Sequence, residues 1–364
     1  MKVMISIFVG IGLFGICLLK FHPVFGGGLS EEKLQTFSQS SNFRQNKFMN
    51  QIPTSMNMDP ETLVTIVRDF VKGNPRGRPN GAIPVEFINT ISFQEKGETR
   101  IYWFGHSTVL LEIEGKRVLI DPMFAKTPSP FPLVGGKRYS EILPMKIEEL
   151  PSVDIVILSH DHYDHLDYDS IMSIKDKVGQ FYVPLGVGSH LERWGIEKEK
   201  IKEHDWWAES DVGGLKLVAT PARHFSGRGL FNRDTTLWCS WVIIGKQTRV
   251  FFSGDSGYGP HFEQIGEKYG PFDWTLMECG QYDERWSAIH MMPEETVQAH
   301  IDVKGNNLIP IHWGAFSLAL HDWTDPIERV TKAAKERQIF VSTPKIGEPI
   351  RVGAVTYPCD VWWR

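Results

Sequence analysis

The chain is short of cysteine, of positive charge and of long apolar runs, and each shortage excludes something. Its four cysteines (Cys17, Cys239, Cys279 and Cys359) show no paired spacing across 364 residues. They read as buried thiols, and no disulfide framework is indicated. A formal net charge of -5 leaves no basic excess for a phosphate backbone, which disfavours nucleic acid as a partner. Neither a Gly-x-Ser-x-Gly elbow nor a Gly-x-x-x-x-Gly-Lys loop is present, so serine-hydrolase and nucleotide-binding readings lack their motifs. Membrane-spanning length is approached only by Val3 to Leu19, seventeen uncharged residues between Lys2 and Lys20. As a helix this run reaches about 26 Å, against a hydrocarbon core of roughly 30 Å. No Ala-x-Ala cleavage site follows it. Residues 1–20 are therefore expected to be a signal anchor rather than a cleaved signal peptide, with membrane association through residues 3–19 and the bulk of the chain outside the cytoplasm.

What is present suits a large core. Hydrophobic residues make up 41% of the chain, with 12 Trp and 22 Phe, enough for one big domain and for an apolar groove. Residues 21–95 are polar and rich in turn formers, with Gly26-Gly27-Gly28 and Gly73-Asn74-Pro75-Arg76-Gly77 on either side of an amphipathic helix over Pro60 to Lys72. This stretch reads as an N-terminal extension wrapping the core or facing a membrane. From residue 96 to 364, short β-branched and aromatic strands recur and helical patterns fall between some of them. The order predicts an α/β domain of two sheets packed face to face with helices outside.

The densest chemistry follows the apolar strand Val153–Leu158: Ser159-His160-Asp161-His162-Tyr163-Asp164-His165-Leu166-Asp167. Imidazole and carboxylate suit a borderline ion such as zinc. In an extended loop His160 and His162 point the same way, and Asp164 and His165 turn toward a second position roughly 3.5–4 Å away, the spacing of two-metal hydrolases. Four more strand ends carry candidates: Asp121 in Ile120-Asp121-Pro122, His224 after Leu215–Ala219, Asp255 in Ser253-Gly254-Asp255, and His312 in Ile311-His312-Trp313. Loops fixed at strand ends are where sites are usually built.

Those motifs, in that order, resemble the metallo-β-lactamase superfamily over about residues 96–355. The resemblance implies a four-layer αββα sandwich. It implies one zinc on His160, His162 and His224, a second on Asp164, His165 and His312, and Asp255 bridging them. Within the superfamily, Gly105-His106-Ser107-Thr108, Asp121-Pro122-Met123-Phe124, Ser253 to Tyr258, Glu284-Arg285-Trp286, His290 before Pro293-Glu294-Glu295, and Ile311 to Phe316 look like the N-acylphosphatidylethanolamine-hydrolysing phospholipase D group. The group's substrate histidine matches His290. Glu278, in Met277-Glu278-Cys279-Gly280, stands where the animal lipases are apolar, and could repel an anionic headgroup or act as an acid.

The expectation that follows is a dinuclear zinc hydrolase (Mn2+ or Fe2+ as alternatives) that cleaves a lipid or small phosphodiester. Two ions sharing a water lower its pKa from about 15.7 toward neutrality, so hydroxide is available at ordinary pH. Asp255, Asp164 and His290 are the expected catalytic residues. His290, Glu278 and Trp313 are expected to meet substrate, and Asp121 and Asp167 to orient ligand imidazoles. His106 is left between a structural and a functional role. Three rivals stand beside this reading: a sugar-phosphate lactonase using the same ions, a di-iron redox centre, and a non-catalytic metal-binding module. His162 disfavours the second, because such centres usually carry Glu there.

Overall fold

The computed structural model describes residues 21–56, 59–89, 93 and 97–364; the expected leader, residues 3–19, lies outside them. Among the described residues no helix is long and apolar enough to cross a membrane. A small hairpin, β1 (Phe43–Arg44) and β2 (Lys47–Phe48), precedes two seven-stranded sheets. The first holds β3 (Arg100–Trp103), β4 (Val109–Ile113), β5 (Lys116–Ile120), β6 (Val153–Ile157), β7 (Val178–Pro184) and β8 (Ile201–His204), with the late strand β16 (Pro349–Arg351) beside β3. The second runs in order through β9 (Glu209–Val212), β10 (Leu215–Thr220), β11 (Ser240–Ile244), β12 (Arg249–Phe252), β13 (Phe272–Glu278), β14 (Gly305–Ile311) and β15 (Phe340–Val341). Each sheet has three antiparallel pairings followed by three parallel ones. The two halves of the sandwich thus repeat a topology that no sequence period announces.

Alternation along the strands sets the layers, because successive side chains face opposite ways. Leu111, Val118, Ile155 and Ile157 join a core that also holds Trp241, Phe252 and Leu276 of the second sheet. Their neighbours Leu110, Leu119 and Val156 pack outward on Ile171, Ile174 and Leu191, which lie on the helices Tyr168–Ile174 and Gly188–Arg193. Helix Pro293–Asp302 covers β13 and β14 of the other sheet and packs on helix Asp325–Glu336. The mixed α/β architecture of two packed sheets is as expected. Sequence reasoning passed over β8, β9, β15 and β16. They are short, and β8 and β9 (Ile-Lys-Glu-His and Glu-Ser-Asp-Val) carry charges, as sheet edges tend to.

Residues 22–56 lie along one end of the sandwich. Phe37, Phe43 and Phe48 pack into the main core, and the buried Arg228 ties this segment to the histidine-rich loop. Its Nε and Nη2 donate to the Val24 carbonyl at 3.1 and 2.9 Å, while Nη1 donates to the carbonyls of Asp161 and Leu166 at 2.6 and 2.7 Å. Asn50 brackets another site loop, accepting from the His224 N–H at 3.0 Å and donating to its carbonyl at 2.8 Å.

Candidate metal centre

In the first sheet β3, β5 and β6 run one way, and in the second so do β10, β12, β13 and β14. The loops leaving their C-terminal ends meet at one edge of the sandwich. An antiparallel bridge between His106 and Trp313 joins the two sheets there. Among the described residues three groups of ligand-type atoms result, each lying within 4.8 Å of one another: His160, His162, His224 and Asp255; His106, Asp164, His165 and His312; and Asp255, His290 and His312. All seven side chains expected to hold metal lie within these groups, which also take in His106 and His290. Backbone geometry at this edge is unusual: His106, Asp121 and His312 have φ of +55°, +42° and +65°, a left-handed region that non-glycine residues seldom adopt and that often marks functional sites. Gly254 has φ +57°, and a Cβ there would meet the Cys239 carbonyl at 2.8 Å. The turn that aims Asp255 therefore needs glycine.

The ring nitrogens facing away from the centre are held by fixed partners. His165 Nδ1 donates to Asp121 Oδ2 at 2.8 Å, and Asp121 also accepts from the Ser159 N–H and hydroxyl at 2.7 and 2.5 Å. His224 Nδ1 donates to the Ile289 carbonyl at 2.9 Å, and His160 Nδ1 lies 2.9 Å from Ser159 Oγ. Fixing a proton on Nδ1 leaves the Nε2 lone pair pointing inward, the arrangement a metal ligand needs. Asp121 thus stands where an orienting carboxylate was expected. Asp121→Ala is expected to lower metal affinity roughly ten- to hundredfold, as measured by competition with a chromophoric chelator.

The donor atoms make poor sense without a cation. His162 Nδ1 lies 2.8 Å from His160 Nε2 and 3.3 Å from His224 Nε2. His165 Nε2 faces Asp255 Oδ2 at 3.1 Å. Among the described residues, His165 Nε2 and Asp255 Oδ1 are buried without a hydrogen-bond partner. Burial holds His162 down to about 4 and His160, His224 and His312 well below the usual imidazole range, so these rings are neutral ligands at ordinary pH. Burial also opposes charge on His165, yet the carboxylates of Asp255 and Asp164 outweigh it and drive that ring well up. The pocket therefore stabilises positive charge, and its residues fit a metal cation.

Three expected residues behave otherwise. Asp167 orients no imidazole; it caps helix Tyr168–Ile174, accepting from the Ser170 N–H at 2.8 Å and hydroxyl at 2.5 Å, as an Asp before a helix does. Trp313 cannot meet substrate, being 2% exposed and stacked between Trp103 at 5.6 Å and Trp362 at 5.2 Å. Glu278 is fully buried behind His290 rather than projecting into the mouth, with Oε2 hydrogen-bonded to His290 Nδ1 at 3.2 Å. Burial pushes its carboxyl well above the usual range, so it presents no anion to a headgroup. His290 itself is partly exposed and stands against His224 and His312, ring centroids 5.0 and 5.2 Å apart. His106, left open from the sequence, stands at the site; its Nε2 meets Asp164 Oδ2 at 2.8 Å. The Gly105-His106-Ser107 turn between two strands was the signal available.

A family model for the beta-lactamase superfamily domain matches residues 116–313. The chain belongs to the metallo-β-lactamase superfamily. Its superfamily relatives include an uncharacterized protein of Mycobacterium tuberculosis, 44% identical over 90% of this chain and 88% of that one. They also include N-acyl-phosphatidylethanolamine-hydrolyzing phospholipase D 1 of Caenorhabditis elegans, 34% identical over 72% of this chain and 78% of that one. The resemblance seen in the motifs therefore holds over most of the chain. Among solved structures, a metallo hydrolase of Ignicoccus hospitalis shares the superfamily fold, with a TM-score of 0.56 at 20% identity over 71% of this chain and all of that one. As a member of the superfamily, the chain is a metal-dependent hydrolase with His/Asp clusters as its candidate metal sites.

Proposed function

We propose that this chain is a dinuclear zinc phosphodiesterase of phospholipase D type acting on N-acylphosphatidylethanolamine-like lipids. The observation that carries the reading is the pair of ligand clusters joined at Asp255, with His290 beside both. A nitrogen- and carboxylate-only donor set without thiolate favours zinc over softer-site ions, with Mn2+ or Fe2+ as the alternatives. The relative in Caenorhabditis elegans named for this reaction supports the substrate class.

His160, His162, His224 and Asp255 would hold one ion, Asp164, His165 and His312 the other, and Asp255 would lie between them. The ions would supply Lewis acidity toward the phosphoryl oxygens and a water acidified toward neutrality. The chain supplies the rest. Asp121, Ser159 and the Ile289 carbonyl keep the imidazoles aimed, and Asp255 orients the attacking water. As the new O–P bond forms, the P–O bond to the alcohol breaks, and His290 passes a proton to the departing oxygen.

A lipid substrate requires a way to the bilayer, and a set of exposed apolar side chains supports one. Leu133 and Phe231 are 98% and 92% exposed, with Val134 and Leu230 beside them. The ring of Phe131 packs on His22 and Phe25, and Phe21 shares a cavity with Asn232. The two loops that carry these apolar side chains thus each reach the segment 21–25. Arg233, Lys126 and Lys137 lie exposed in the same loops. An anionic bilayer is the partner that suits this composition.

The test is a substrate panel with metal analysis: N-acylphosphatidylethanolamine in vesicles, a soluble nitrophenyl phosphodiester, and a sugar-phosphate lactone. The vesicle lipid is expected to be cleaved fastest, with two zinc ions per chain. Preference for the lactone, or iron with redox turnover, would overturn the assignment. Changing Leu133 and Phe231 together to Ser removes side chains whose burial contributes roughly 1.5–3 kcal/mol each. The double variant is expected to lose at least about tenfold on vesicles while matching the parent on the soluble diester.

A further inference from the structure

The buried glutamate behind His290 has no function in the chemistry above, and it is costly to keep. Glu278 closes β13, flanked by β12 and β14, with no exposed surface. A carboxyl so placed is expected to be destabilising unless its oxygens are satisfied. Here they are. Oε1 accepts from the N–H groups of Met291 at 2.9 Å and Ser256 at 3.2 Å, and Oε2 meets His290 Nδ1 at 3.2 Å. The backbone is fixed as well: its N–H donates to Ser253 Oγ at 2.9 Å, and its carbonyl accepts from Thr296 Oγ1 at 2.8 Å. Every degree of freedom of this side chain is taken up, and all of that rigidity ends at one nitrogen of one imidazole.

We infer that Glu278 is a positioning residue: its carboxyl grips Nδ1 and sets the plane of His290 so that Nε2 alone is offered to the phosphodiester. The ring needs such a grip. It hangs from the loop that joins Trp286 to helix Pro293–Asp302, is partly open to solvent, and is otherwise held by the faces and edges of His224 and His312. Contacts of that kind leave an imidazole free to flip its ring and exchange Nδ1 for Nε2. A hydrogen bond to an immobile carboxyl removes that freedom. The inference rests on the phosphodiesterase reading only for its kinetic readout.

Two variants of the full chain separate placement from other roles. In Glu278→Gln the amide oxygen can still accept both backbone N–H groups, while its nitrogen donates to Nδ1. In Glu278→Met the volume is kept and the grip is lost. Metal content, kcat and KM on a soluble alkyl phosphodiester, and the His290 ring resonances of 15N-histidine-labelled protein (assigned with His290→Asn) would be measured on both. Glu278→Met is expected to lower kcat roughly tenfold or more, with KM and metal content unchanged and the His290 resonances broadened by exchange. Glu278→Gln is expected to recover most of kcat and the sharp resonances. Three results would overturn the inference: Glu278→Met as active as the parent with sharp His290 signals, loss of metal in Glu278→Met, or Glu278→Gln as impaired as Glu278→Met. If no phosphodiester is cleaved by any form, the functional reading fails, and the ring resonances still decide the positioning of His290.

Discussion

Asp255→Ala is expected to lower turnover by roughly a thousandfold or more, because in the proposed centre this one carboxylate would serve both clusters. Its oxygens lie 3.8 Å from His160 and His224, 3.1 Å from His165 and 3.1 Å from His312. Alanine also leaves His165 and His312 facing one another across an uncompensated gap, so metal content should fall with activity. Inductively coupled plasma analysis of dialysed protein checks the first effect, and initial rates on the soluble diester check the second. Retained metal with full activity would refute the shared centre. A pH dependence follows from the same residue. Burial raises the Asp255 carboxyl to about 6. Protons and cations compete for it, so cation affinity is full well above that value and is lost as pH falls through it. His162 adds little in this window, since burial already keeps it neutral down to about 4, whereas the proton that the carboxylates hold on His165 must also be displaced.

His290→Ala should separate the chemistry from the metals. A general acid contributes roughly 10²–10⁴-fold, and kcat should fall within that range while both ions stay bound, since all seven expected metal-binding side chains remain. Activity should be least affected on a diester whose leaving group is a good one, such as nitrophenolate, and most affected on an alkyl diester whose alkoxide needs a proton. Equal losses on the two would show that the ring clamps the phosphate instead. Loss of metal would place His290 among the ligands, a role its proximity to Asp255 and His312 allows.

The metal cluster was legible in the sequence because its residues follow recognisable strands and share one loop pattern. His160, His162, Asp164 and His165 sit in six consecutive positions, and His224, Asp255 and His312 each end a β-branched or aromatic run. Strand ends on one edge of a sandwich can converge, so the assignment needed only strand direction. The misreadings came from features set by distant chain. Trp313 lies beside a ligand in sequence, but Trp103 and Trp362 close over it. Glu278 looked like a carboxylate at the mouth until the 289–292 segment folded across it. Asp167 was misjudged locally: three residues before Ser170, it carries a helix-capping signature that the adjacent histidines overshadowed. His106 reaches the centre through the bridge between the sheets, and the Gly105-His106-Ser107 turn was its one local signal.

The Arg228 guanidinium gives the chain a mechanical property. Because one cation grips the carbonyl of Val24 and those of Asp161 and Leu166 at once, tension applied upstream of residue 24 is delivered straight to the loop bearing His160, His162, Asp164 and His165. Trimming that stops short of Val24 leaves the tether intact. A cut beyond it removes the strut from beneath the catalytic loop, which sets the practical limit for any shortened form of the enzyme.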